Sequence, residues 1–371
     1  MKILHCADVH LDSPLTSNLD RKKAEERNNE LLATFSALAD RAESDGIRVI
    51  IIAGDLFDRN RVSASTKNIV YGIMKSHPDI LFFYLRGNHD IRGAKEDPAE
   101  LPSNLRLFRG DWTYYSLSSG REGEKKIRIA GAETGEGKAV DYESLVTDPS
   151  AVNIVVLHGQ LAPHASMQKP GEIDLRMLRD RHIDYLALGH VHEYRTGILP
   201  PGGRLCYPGC LEGRGFDETG EHGYAELDIN LVTGEIEERF VPFARRQLFE
   251  IPVDISGCMT TADISGRIWA SLRGRPCQEK DMIRFVLQGT IDVECEKNID
   301  YLEQQLGDRF YFVRIADESR LVVDYREYIS DASLKGEFIR LVQGDSGLSE
   351  NEKAEMIRCG LQALNGEEII L

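Results

Sequence analysis

An α/β fold is predicted for roughly the first 190 residues, and three observations predict it. Short, continuous, β-rich apolar runs recur along this stretch, as expected of strands buried on both faces. The segments between several of them are long enough for helices, the alternation typical of α/β chains. Each of five runs also ends on side chains able to ligate a metal ion, and in such sheets ligands gather beyond the carboxyl ends of the strands.

Taken in order, Lys2 to Ala7 is the first strand and leads to Asp8-Val9-His10. A helix follows, with Leu31, Leu32, Phe35, Leu38, Ala39 and Ala42 on one face and Gly46 as its stop. Val49 to Ile52 leads to Gly54-Asp55-Leu56-Phe57-Asp58, and Ile80 to Leu85 to Gly87-Asn88-His89-Asp90. Ile154 to Leu157 ends at His158-Gly159, and Tyr185 to Leu188 at Gly189-His190-Val191-His192. From Tyr194 to Phe243, breaks such as Pro200-Pro201-Gly202-Gly203 and Thr233-Gly234 delimit short strands, read as antiparallel strands finishing a sheet. A small α+β unit over residues 246–326 comes next: strands Leu248 to Ile255, Met282 to Gln288 and Phe310 to Ile315, with helices at Ile264 to Leu272 and Ile299 to Leu306. Residues 327–371 read as helical. Ser349-x-x-Glu352 is a capping-box pattern, and Ala354, Ile357, Leu361 and Leu364 then form an apolar seam that docks a partner's helix or packs on the chain itself.

Composition narrows the function classes. The 371 residues are 42% hydrophobic, and no apolar run approaches the ~18 residues of a membrane span. Asp8, His10 and Asp12 interrupt what would be a signal-peptide core, so the expected location is cytoplasmic. Seven cysteines without a Cys-x-x-Cys pair suit a reducing compartment. Cys206 and Cys210 read as ordinary semi-buried residues. The net charge is −16, with 29 basic and 38 acidic residues in 1–243 and 16 and 23 in 244–371. A chain that gripped nucleic acid unaided would show a basic face; any such grip here must be local, metal-mediated or shared with a partner.

The strand-end residues specify a chemistry. Residues two apart in an extended segment point to one side, so Asp8 with His10, and His190 with His192, each present two donors to one place. Asp8, His10, Asp55, Asn88, His158, His190 and His192 form a mixed oxygen and nitrogen set that suits manganese, iron or zinc better than calcium. With one carboxylate shared, seven groups suffice for two divalent ions about 3.5–4 Å apart, which activate water and neutralise a phosphate. His89 follows the ligand Asn88 and is free to act as an acid, with Asp90 to orient and charge it. Asp58 is placed to accept a hydrogen bond from a ligating imidazole such as His10. His5, His77, His164, His182 and His222 have no spacing that marks them as ligands.

Asp8-x-His10, Gly54-Asp55-x-x-Asp58, Gly87-Asn88-His89-Asp90, His158 and Gly189-His190-x-His192 together resemble the calcineurin-like metallophosphoesterase superfamily over about the first 245 residues. Lys2 to Asp12, Gly54 to Asp58, and Tyr207-Pro208-Gly209 with Glu212-Gly213-Arg214-Gly215-Phe216 are similar to its DNA repair exonuclease branch, the SbcD-like and YhaO-like proteins. The resemblance implies a metallophosphoesterase sandwich of mixed β-sheets flanked by helices, a capping domain at 246–326, and a partner-binding helical segment at 327–371. It implies a manganese-dependent DNA exonuclease or endonuclease, working with DNA and an SMC-like coiled-coil ATPase (SbcC/YhaN-like), with a homodimer also open. Carried over by motif, Asp8, His10, Asp55 and His192 would hold one ion, and Asp55, Asn88, His158 and His190 the other, with His89 catalytic. Arg59 and Arg86 depart from the branch and echo the phosphoprotein phosphatases. They are candidate phosphate contacts, with a structural salt bridge as the alternative. A phosphodiesterase or phosphatase for small molecules or phosphoproteins, and a non-catalytic scaffold, are the competing functions.

Overall fold

The computed structural model describes residues 1–15, 19–58, 62–91, 101–133, 140–162, 171–328 and 330–365. Two compact units divide it, Met1–Arg245 and Arg246–Leu371.

The first unit is built on two six-stranded sheets. One runs Ile236–Pro242, Gly223–Ile229, Lys2–Cys6, Val49–Ala53, Leu81–Leu85, Leu105–Leu107; the other runs Arg195–Leu199, Gly203–Tyr207, Tyr185–Gly189, Val152–His158, Ile127–Gly131, Thr113–Leu117. The last four strands of the first sheet and the middle four of the second are parallel. The continuous apolar runs are explained by burial on both faces. Val49, Ile51 and Ala53 share one core cluster with Val152, Ile154, Val156, Tyr185 and Ala187 of the other sheet. The alternate residues Ile50 and Ile52 are equally buried, and Val155, Leu157, Leu186 and Leu188 fill a second cluster on the far side of their sheet. Each such side chain contributes about 1.5–3 kcal/mol on full burial. The predicted strands from residue 194 to 243 finish both sheets rather than one: Arg195–Leu199 closes the second sheet and the Gly223–Ile229/Ile236–Pro242 hairpin closes the first.

The helix after the first strand spans Arg21–Ser44, capped by Asp20 accepting from the Lys23 amide. It buries Leu31, Phe35, Leu38, Ala39 and Ala42. Gly46 terminates it at φ +69°, a conformation glycine reaches without a Cβ penalty. Ala64–Ser76 follows the second strand, with Ser63 as its cap.

In the second unit, Leu248–Asp254, Met282–Gln288 and Phe312–Asp317 form a three-stranded sheet that is parallel throughout. The expected α+β unit is therefore a strand–helix alternation, because helices Thr261–Ser271 and Ile299–Gly307 connect successive strands and parallel neighbours need crossovers of that kind. The capping box is present: Glu352 accepts from the Ser349 amide at 2.8 Å, and Ser349 Oγ from the Glu352 amide at 3.4 Å. Helices Leu334–Gly344 and Glu350–Asn365 belong to this unit. Ala354, Ile357 and Leu361 pack with Val293, Val323, Tyr328, Ile339 and Val342, so most of the seam offered to a partner helix is covered by the chain itself. Leu364 at the end of the seam is exposed. No described helix is long and apolar enough to cross a membrane.

Candidate metal centre

Parallel strands place their carboxyl ends on one side of the sheets, and the predicted ligands follow those ends. The segment after the first strand is laced to the one after the second: Asp8 N donates to Gly54 O and His10 N to Asp55 O, both at 3.0 Å. His190 N donates to both oxygens of Asp8, at 3.1 and 2.9 Å. Asp8, His10, Asp55 and His190 all sit at positive φ, of 50, 48, 49 and 104°, so these segments are not extended as expected, and His190 groups with Asp55 and His158 while His192 groups with Asp8 and His10. Non-glycine residues in this region carry strain that surrounding structure must hold, and such residues cluster at functional sites.

The glycines that precede the candidate ligands are there for space. A Cβ on Gly54 would lie 2.1 Å from His158 Nδ1, one on Gly87 2.1 Å from Asp55 Oδ1, and one on Gly189 1.9 Å from Ala53 O. Gly54→Ala is therefore expected to displace the His158 ring, all the more because Gly54 lies at φ +97°. A destabilisation of about 1–3 kcal/mol is the usual cost of such overpacking. A denaturation curve with a metal titration checks it; wild-type stability and metal affinity would contradict this steric account.

The donor atoms fall into overlapping sets. Ligand atoms of Asp8, His10 and His192 lie within 4.8 Å of one another, as do those of Asp55, His158 and His190, and those of His10, Asp58 and His89. Asp55 Oδ2 is 3.2 Å from His158 Nε2 and 3.9 Å from His10 Nε2, so one carboxylate oxygen reaches both main sets. Asn88 Oδ1 lies 3.0 Å from His158 Nε2.

Partners on the outer side fix the tautomers. His158 Nδ1 donates to the Ala53 carbonyl at 2.9 Å, and a carbonyl only accepts. His10 Nδ1 faces Asp58 Oδ1 at 2.9 Å and His192 Nδ1 faces Glu218 Oε1 at 2.6 Å. Each imidazole thus turns Nε2 inward, the arrangement of a metal-ligating histidine. The inward nitrogens of His10 and His192 are 3.2 Å apart, two lone pairs that only a cation or a proton can reconcile. Burial disfavours charge on His158, but the carboxylates of Asp55 and Asp8 outweigh it and hold its pKa up to about 9. Burial likewise opposes the Asp55 charge, and His158 overcomes it, holding that carboxyl below its ordinary range. Asp8 is pushed up by burial and His10 down by burial. Buried carboxylates and imidazoles that share protons in this way are a donor set for divalent cations, and the residues fit two of them.

His89 Nδ1 donates to the Asp58 carbonyl at 2.9 Å, its amide donates to Asp55 Oδ1 at 2.9 Å, and the side chain is 43% exposed. With Nδ1 committed as a donor, Nε2 is the ring atom left to exchange a proton. Asp90 departs from its expected role. It accepts from the amides of Phe57, Gly87 and Leu56 at 2.8, 2.9 and 3.2 Å and no contact with His89 is among these. Consecutive residues of the short helix Asn88–Ile91 point about 100° apart, so Asp90 turns inward to pin two loops while His89 turns out. Burial first, then the charge of Asp55, push its pKa up to about 7. Arg86 forms a two-pronged ion pair with Glu133, Nε–Oε1 2.6 Å and Nη2–Oε2 2.9 Å, which takes up the fork proposed for a phosphate. Arg59 lies outside the described residues, as does His164. His5, His77, His182 and His222 are absent from the donor sets. Glu218 and the role of Arg214 escaped sequence reasoning; the only signal was the Glu212-Gly213-Arg214-Gly215-Phe216 motif, which carried no spacing to His192.

Residues 1–194 match the family model described as calcineurin-like phosphoesterase. The chain is 27% identical over 345 residues to an uncharacterized metallophosphoesterase, YhaO, of Bacillus subtilis, covering 86% of this chain and 82% of that protein. It is 24% identical over 385 residues to the DNA double-strand break repair protein Mre11 of Methanopyrus kandleri, covering 93% and 79%. With the matched segment spanning every strand end that carries a donor, the chain belongs to the calcineurin-like phosphoesterase family, as a metal-dependent phosphoester hydrolase, and its similarity to YhaO and Mre11 supports a DNA repair exonuclease-like branch.

Proposed function

We propose that the chain hydrolyses phosphodiester bonds in DNA, as an exonuclease or endonuclease with two divalent ions, manganese first among them. The observation that carries the two-ion reading is the single Asp55 oxygen lying within 3.9 Å of His10 Nε2 and 3.2 Å of His158 Nε2. Asp8, His10, Asp55 and His192 would hold one ion, and Asp55, Asn88, His158 and His190 the other. When bound, such a pair lowers the pKa of water and neutralises phosphate oxygens, enabling in-line attack on phosphorus near neutral pH. The chain's own residues do the rest. His89 Nε2 gives a proton to the leaving oxygen, Asp58 and Glu218 hold two imidazoles in the ligating tautomer, and Asp90 holds the loops that carry Asp55 and Asn88. Similarity to Mre11 supports DNA as the substrate, and the intact donor set speaks against a scaffold.

The charge of −16 supports a shared grip on DNA, with an SMC-like ATPase as the proposed partner; the isolated chain should bind DNA weakly, with a shallow salt dependence. A manganese-supplemented assay on labelled single- and double-stranded DNA, run beside a small phosphodiester and a phosphomonoester, tests the reading. Manganese-dependent shortening of DNA is expected. Turnover of the small esters with DNA left intact would favour a small-molecule phosphodiesterase or phosphatase instead.

A further inference from the structure

We propose that Arg214 is a positioning residue for the metal centre, holding in place the two carboxylates that orient His10 and His192 and, through Asp58, the carbonyl that orients His89. The inference rests on the two-metal reading above. Arg214 Nη2 donates to Glu218 Oε1 at 2.8 Å, and its backbone amide to Glu218 Oε2 at 2.7 Å. Its Nη1 donates to Asp58 Oδ1 at 3.1 Å. Those same two oxygens receive the imidazoles: Glu218 Oε1 faces His192 Nδ1 at 2.6 Å and Asp58 Oδ1 faces His10 Nδ1 at 2.9 Å. The Asp58 carbonyl accepts from His89 Nδ1. One guanidinium therefore ties together the outer partners of three histidines drawn from three separate strand ends.

The setting suits a fixed clamp. The Arg214, Asp58 and Glu218 side chains are only 17, 13 and 6% exposed, so water competes little for the fork. Arg214 also places a positive charge between two carboxylates that would otherwise repel. Its loop is anchored from behind: buried Arg27 donates to Gly213 O at 2.9 Å, and Glu212 accepts from Thr34 Oγ1 at 2.7 Å and the Arg245 amide at 2.6 Å. A planar guanidinium spans two acids in fixed geometry; a lysine, with one ammonium on a flexible stem, does not. Losing the clamp should let the rings of His10 and His192 turn, and outer partners of ligating histidines are worth about 10–100-fold in metal affinity.

Calorimetric manganese titration of the wild type, Arg214→Lys and the near-isosteric Glu218→Gln, beside thermal melts of the metal-free proteins, tests this. In both variants the site of His10 and His192 should weaken about 10–100-fold, the site of Asn88, His158 and His190 should stay within a few-fold of wild type, and the metal-free melt should remain cooperative. Two sites of wild-type affinity in folded variants would overturn the inference. So would loss of cooperative folding in both, which would assign the network to stability alone. A wild type that binds no manganese would instead sink the two-metal reading, so the two failures are distinguishable.

Discussion

Asp55→Asn is expected to abolish two-ion occupancy and, with it, nearly all phosphoester hydrolysis. Asp55 Oδ2 is the oxygen that reaches both His10 and His158, and Oδ1 accepts the His89 amide at 2.9 Å. Asparagine preserves the shape of the side chain and removes its charge, so the loss isolates the carboxylate. Deleting an outer partner of a ligand costs about 10–100-fold in metal affinity or activity; removing a shared ligand should cost more than the upper end of that range. Elemental analysis after dialysis against manganese, beside a turnover assay, measures both. Retention of two ions by the variant would show that some other group bridges the sets.

His89→Gln should leave both ions bound and lower turnover on DNA by about 10²–10⁴-fold, the usual contribution of a positioned proton donor. The half-exposed ring, with Nδ1 committed to the Asp58 carbonyl, has one nitrogen left for proton transfer. That role carries a signature which a merely structural residue would not show. The deficit should shrink sharply on a p-nitrophenyl phosphodiester, whose leaving group departs without protonation. Because His89 also lies within ligand distance of His10 and Asp58, metal analysis of the variant is the necessary companion. Loss of an ion would make His89 a ligand, and equal losses on both substrates would remove it from proton transfer.

Much of this centre is legible from sequence because its parts are local. A strand buried on both faces shows as an unbroken apolar run, and the donor follows the run within a few residues, as Asp55 follows Val49–Ala53 and His190 follows Tyr185–Gly189. The glycines are visible too, but their reason is not: Gly87 is small because Asp55, 32 positions earlier in sequence, comes within 2.1 Å of where its Cβ would be. Asp90 shows the limit of adjacency. Its neighbour in sequence is His89, yet helical geometry turns the two side chains apart, and its partners are the amides of Leu56, Phe57 and Gly87. The C-terminal seam shows in the sequence as an apolar stripe, but periodicity says only that something covers it, and the cover is the second unit's own Val293, Val323 and Ile339.

The candidate donors and the strand ends they follow are thus local features, since burial on two faces and the short step from strand to donor are properties of consecutive residues. Tertiary structure alone decided what each donor pairs with. Glu218 meets His192 across 26 positions, Arg214 meets Asp58 across 156 and Arg86 meets Glu133 across 47. Such pairings decide how the His192 ring is turned and what occupies the forks of Arg86 and Arg214. They depend on distances between segments far apart along the chain, which no local pattern of residues encodes.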